Sequence, residues 1–281
     1  MVGYLSTVIA SGSGAPLPNP MDYIIQPSTV NADMPNNLFL MCGDGNLEPM
    51  APAISGAANQ PALTPNAQPW TWVHQIFRNL IQDLAVREDS RDWFVFVDTN
   101  PSFSIYTELA LSAVDRLISP VNADDSSRVA TNAMFILLHG QNPPHPIYGS
   151  WTFASRAQQA GLIVPKIHLV VGNRLTQYEG AATAFGALSD ATADALFTAF
   201  QQHPSYFTHR TPTPTTVDEF RGAYSSPLRD FNTAGVVSAH LGRRLSGMSG
   251  GYYTVHQNQV QINRDRVNEC LAAVDEVVAA L

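Results

Sequence analysis

Asp98 is the residue that its neighbours best equip for chemistry in this chain of 281 residues. It closes the apolar run WFVFV at 93–97 and is followed by Thr99, Asn100, Pro101 and Ser102, a turn by composition. A carboxylate that ends a buried parallel strand stands at the sheet's carboxyl edge, where doubly wound folds place their ligands. There it can accept hydrogen bonds from the water shell of a hard cation such as magnesium. The same aspartate also suits a plainer task, ending a strand and capping the next helix, and this run alone leaves both readings open. Phosphate chemistry needs a second half, a glycine-rich loop whose lysine reaches the β- and γ-phosphates. No G-x-x-x-x-G-K-[ST] occurs, and the one lysine is Lys166. The glycine-rich SGSG at 11–14 runs into Pro16 and Pro18, not into a lysine and a helix start. The residues therefore present one half of a nucleotide site.

Other chemistries find less support. The eight histidines include no H-x-x-x-H or H-E-x-x-H pair, so a metal-hydrolase site is not expected. No G-x-S-x-G elbow exists; GMSGG at 247–251 is out of step by one residue. Cys42 and Cys270 are far apart on apolar patterns, which reads as two buried free thiols in a reducing cytoplasm. The net charge of −8 argues against a protein that is basic overall. It leaves room for a local patch, and Arg210, Arg221, Arg229, Arg243 and Arg244 cluster within 210–244. That cluster is either a solvated surface or a phosphate-contacting face. No run of 18 apolar residues is present to span a membrane, and the N-terminus lacks the basic region of a secretory signal.

The elements that must position Asp98 are read from periodicity. Val73, Ile76, Phe77, Leu80, Ile81 and Leu84 recur at helical spacing, and Val267, Cys270, Leu271, Val274, Val277, Val278 and Leu281 form a second such stripe. Helices are also expected over 102–115, 126–139, 179–188, 191–202 and 234–247. Strands are expected at 21–28, 36–45, 93–97, 116–121 and 165–173, each a short apolar or β-branched run. Residues 48–69 hold five prolines and read as a loop with no core of its own. Trp70, Trp72, Trp93 and Trp151 are expected in or near the core. Strands alternating with helices predict an α/β fold, a doubly wound and mostly parallel sheet with helices on both faces, as one domain over 1–281.

The run DTNPSFSIYTELALSAVDRLISPVNAD at 98–124 resembles the ParA/MinD class of P-loop ATPases, and within it the ParA partition branch. That branch shows an apolar strand, Asp, two residues, Pro-Ser, then a T-x-x-A-L-x-A-A-D helix and an I-x-P-V strand. Asp98, Pro101, Ser102, Thr107, Ala110, Leu111, Ala113, Asp115, Ile118, Pro120 and Val121 fill those places. DYIIQPS with LFLMCGDGNLE at 22–48, and HLVVGNRLTQYEGAATAFGAL at 168–188, are similar to other segments of the family. The resemblance implies that Asp98 faces magnesium through water and that 99–103 form a switch loop sensing the γ-phosphate. It implies that Asn173 meets the adenine edge, although a strand-end turn would also suit an asparagine. Arg221 and Arg229 fall where partition ATPases contact the DNA backbone.

The departures are equally specific. The family opens with a strand, a K-G-G-x-G-K-[ST] loop, a helix and a strand ending in D-x-D-P-Q, and none of these is present. The expectation is a P-loop-like fold lacking its first strand–loop–helix, from an N-terminally truncated chain or from one that has lost that unit. Such a chain would leave a sheet edge uncovered. The family binds ATP and magnesium, forms homodimers around nucleotide, binds DNA nonspecifically, and answers to a centromere-binding, ParB-like partner. It works in the cytoplasm on the nucleoid in plasmid or chromosome partition. This chain is expected not to hydrolyse ATP alone, because the charge-stabilising phosphate cradle is missing. The alternative is a noncatalytic adaptor of the same fold that binds a partner protein or DNA.

Overall fold

A computed structural model describes residues 1–88, 90–99, 102, 104–122, 125–175 and 179–281, with side chains except at 125–128, 173–175, 179–189 and 229. Backbone contacts divide the chain into two compact units. The first comprises Met1–Thr29, Pro35–Asp115 and Ile136–Pro165; the second comprises Val30–Met34, Arg116–Phe135 and Lys166–Leu281.

The first unit is built of helices. In chain order these are α1 (Val2–Ser11), α2 (Leu47–Ala58), α3 (Pro69–His74), α4 (Ile76–Arg87) and α5 (Ile105–Ala113). The stripe read at 73–84 becomes α3 and α4, separated at Gln75. Val73, Ile76, Phe77, Leu80 and Leu84 are all buried along it, each such side chain worth roughly 1.5–3 kcal/mol. α2 corrects the expected proline-rich loop. Pro49 lies in its first turn, where an amide hydrogen has no partner in the helix, and only Pro52 stands inside it. Burial of Ile54, Ala57 and Ala58 offsets the hydrogen bond that Pro52 removes.

The strands expected at 21–28, 36–45 and 93–97 do not form. Two short 3-10 turns occupy Pro20–Tyr23 and Pro27–Thr29, and one antiparallel bridge joins Ile25 to Leu40. Residues 93–97 are irregular, with Phe94 87% and Phe96 72% exposed. A local apolar pattern is only half of a strand; the other half is a neighbouring ladder that satisfies the backbone, and among the described residues these runs have none beyond that bridge.

The second unit holds the parallel sheet. β1 (Arg116–Val121) leads into α6 (Asp125–His139), whose last four residues belong to the first unit. After α7 (Phe153–Gln159) of the first unit come β2 (Lys166–Leu175), α8 (Glu179–Gln202), α9 (Val217–Tyr224), β3 (Ser225–Arg229) and α10 (Asn232–Leu241). A hairpin of β4 (Gly251–Val255) and β5 (Asn258–Ile262) and the terminal α11 (Arg264–Ala280) complete the chain. The sheet order is β1-β2-β3, all parallel, with Val121 and Pro227 both opposite Gly172 of the central strand. Ile167, Leu169, Val170 and Val171 of β2 are consecutively buried apart from the polar His168, which is buried too. That is the pattern of a central parallel strand covered on both faces. The two prolines of the sheet, Pro120 and Pro227, sit on its outer strands, where a missing donor is tolerated.

An aromatic core packs on this sheet. Phe200 of α8, Phe207, and Phe220 and Tyr224 of α9 are each at most 6% exposed. α9 starts at a capping box, in which Thr216 Oγ1 accepts from Glu219 N while Glu219 Oε2 accepts from Thr216 N. A smaller core of Ala234, Val237, Met248, Ile262 and Val267 joins α10, the hairpin and α11. α10 ends at Gly242 with φ 62°, a left-handed cap that favours glycine.

Candidate functional site

The expected nucleotide-side residues have the following places. Asp98 and Thr99 lie exposed on irregular backbone after 93–97. Asn100, Pro101 and Phe103 lie outside the described residues. Ser102 is exposed, and its carbonyl accepts from Thr107 Oγ1 at 2.5 Å, tying the end of this loop to the first turn of α5. In the second unit Asn173 belongs to β2, one residue past Gly172, near the strand's carboxyl end. Its side chain, like that of Arg229 at the end of β3, lies outside the described residues. Lys166 is the exposed first residue of β2 and takes part in no glycine loop.

The arginine cluster is largely engaged within the second unit. Arg221 pairs with Asp190 at 2.8 Å, and Arg243 lies 3.7 Å from Asp33. Arg210 donates to the carbonyls of His168 (2.9 Å) and Ala223 (3.2 Å) and covers the Tyr224 ring. Arg244 is exposed. Two further expectations are corrected: Cys42 is exposed where a buried thiol was read, and Trp151 is 74% exposed where a core position was read. Both side chains follow an apolar local pattern that finds no tertiary cover.

Buried His168 gives the second unit a pH dependence. Its Nε2 lies 2.7 Å from the Leu281 carbonyl and therefore carries the proton, while Nδ1 accepts from Thr208 Oγ1 at 3.0 Å. Burial holds the imidazole below its ordinary value of 6.5; Arg210 and Arg116 add to this, and the Leu281 hydrogen bond opposes it. The unfolded chain thus takes up the proton first as pH falls. The stabilisation is complete above about 6.5 and is lost as pH drops below 6.5 toward the folded value. Urea midpoints of the wild type are expected to fall across that window, and those of His168→Gln to fall less. Equal slopes for the two would contradict this.

A polar cleft in the first unit was not anticipated from the residues. It has a volume of about 200 Å³ and lies where α2, α3, α5, the turn Gly149–Trp151 and α7 converge. Its floor is His74, fully buried, with Nδ1 at 2.8 Å from the Trp70 carbonyl and Nε2 at 2.9 Å from Glu108 Oε2. Nδ1 faces an acceptor and must carry a hydrogen, so one further proton lies between Nε2 and the carboxyl group. Trp70 stacks on His74 with centroids 3.8 Å apart. The Arg156 guanidinium covers Trp70 at 5.0 Å and donates to Asn59 Oδ1 at 2.8 Å. Trp151 and Phe153 complete the walls. Trp70 and His74 are one helical turn apart, which is legible in the residues. Glu108 and Arg156 are not, because only tertiary packing brings them to His74.

Among the described residues no three histidine, cysteine or acidic side chains cluster as a metal site, and no helix is long and apolar enough to cross a membrane. Compared with family models, with curated proteins and with solved structures, the chain finds no match in any of the three.

Proposed function

We propose that the chain is a ParA-type partition protein carrying the switch-side half of a nucleotide site. The observation that supports this most is a coincidence of motif and topology. The D-x-x-P-S run at 98–102 leads through α5 into β1, the first of three parallel strands laid down in sequence order, and Asn173 stands on the central one. The reading takes the three-stranded parallel sheet as part of a doubly wound sheet. In it Asp98 is the magnesium-side carboxylate, Asn173 the adenine-side amide, and Arg221 and Arg229 the DNA-facing cations.

Magnesium–ATP does not fit the residues present. A triphosphate requires a cradle of backbone amides and a lysine, and the only lysine begins β2. In this reading the residues present make no complete hydrolytic site, and partner or DNA binding is the activity assigned to them. The same absence favours the adaptor reading, in which the fold serves as a binding surface without catalysis. Magnesium–ATP titration tests the nucleotide side of this proposal: the chain by itself is expected to bind and hydrolyse none.

A further inference from the structure

The cleft at His74 is lined by residues that the proposed nucleotide site does not use. His74 and Glu108 hold one proton between them, on the imidazole or on the carboxyl, and either way the pair sums to zero charge. Arg156 thus sets the net charge of the cleft at +1. Among the described residues Arg156 forms no ion pair, and its one hydrogen bond is to the neutral amide of Asn59. A guanidinium offers five donors in a planar fork that matches a carboxylate, so most of its donors are left for a ligand. The charge of Glu108 acts on Arg156, but the two form no ion pair among those of the described residues, and Glu108 Oε2 is engaged by His74 at 2.9 Å.

The walls define the rest of the ligand. Trp70 and Phe153 are buried aromatic surfaces, and Trp151 stands 74% exposed beside them. An exposed indole at the mouth of an aromatic cleft is a stacking platform for a planar group. The volume of about 200 Å³ suits one or two rings, since an apolar cavity of about 150 Å³ accepts benzene. We propose that this cleft is a binding site for a small planar aromatic carboxylate, its ring against Trp151 and Phe153 and its carboxylate on Arg156. The site is independent of the nucleotide reading.

The test is isothermal titration of the full chain with indole-3-acetate, its neutral amide, and the cation tryptamine. The acetate is expected to bind, the amide about tenfold or more weaker, and tryptamine weaker still. Arg156→Gln is expected to weaken acetate binding by about tenfold or more while leaving amide binding within about twofold. Trp151→Ala, at a position exposed enough to spare the fold, is expected to weaken acetate and amide alike. A peptide ending in a free tryptophan carboxylate distinguishes the source. Tighter binding than indole-3-acetate supports the same chemistry and assigns it to a chain terminus; weaker binding assigns it to a free small molecule. No binding of the acetate at millimolar concentration, tryptamine binding as tightly as the acetate, or an unchanged affinity in Arg156→Gln overturns the proposal.

Discussion

Phe220→Ala is expected to destabilise the sheet-bearing unit by about 4 kcal/mol, the middle of the range for deleting a buried aromatic side chain. Phe220 is completely buried at the centre of the aromatic core, with ring centroids 5.0 Å from Tyr224, 5.5 Å from Phe200 and 5.7 Å from both Phe207 and Phe197. Its loss empties the junction of α8, α9 and β2 at once, and four rings lose an aromatic neighbour that collapse cannot replace. Since whole domains are stable by only about 5–15 kcal/mol, the variant should unfold at markedly lower denaturant. Phe220→Leu keeps most of the volume and should lose about 1.5 kcal/mol or less. Denaturant unfolding followed by circular dichroism checks both, and a loss below about 1 kcal/mol for Phe220→Ala would show that the core is not packed as described.

Glu108→Ala is expected to remove about 3 kcal/mol from the helical unit. Removing one partner of a hydrogen-bonded pair of ionisable groups leaves the buried one without compensation, at about 3–5 kcal/mol. The lower end applies because the Glu108 side chain is 28% exposed while that of His74 is 0% exposed. Without Glu108, His74 Nε2 loses its hydrogen-bond partner at the floor of the cleft. Glu108→Gln keeps an amide that can donate to an unprotonated Nε2, so its loss should be about 1 kcal/mol. The double variant with His74→Ala should lose less than the sum of the two single changes, by about 1 kcal/mol or more. Strict additivity, or a Glu108→Ala loss under about 0.5 kcal/mol, would contradict the pairing.

The elements that were legible are those whose signal is complete within one segment. The Val267-to-Leu281 stripe and the 73–84 stripe each state a buried face, and α11, α3 and α4 follow, although Val278 of the first stripe is 60% exposed. β1 and β2 were legible because their β-branched runs meet each other in the same sheet. β3, SSPLR, carries a proline and two serines and is a strand only because β2 offers it a ladder. The hairpin turns at His256 and Gln257, with φ of 45° and 71°, and neither residue signals a left-handed turn. Runs at 21–28, 36–45 and 93–97 show the converse, strand-like residues without a ladder. Of the candidate sites, the proposed one at Asp98 and Asn173 rests on motif residues, whereas the His74–Glu108–Arg156 cleft spans α3, α5 and α7 and exists only once those helices pack.

Titration of magnesium–ATP tests the central claim, that Asp98 belongs to a nucleotide site whose phosphate-loop half this chain does not contain. The chain should show no magnesium-dependent binding, and the same chain fused behind the strand–phosphate-loop–helix–strand unit of a partition ATPase should gain magnesium-dependent binding and hydrolysis that Asp98→Asn abolishes. Magnesium-dependent binding by the chain alone at about 1 μM, some 8 kcal/mol, would contradict the account, as would a fusion whose hydrolysis is indifferent to Asp98→Asn.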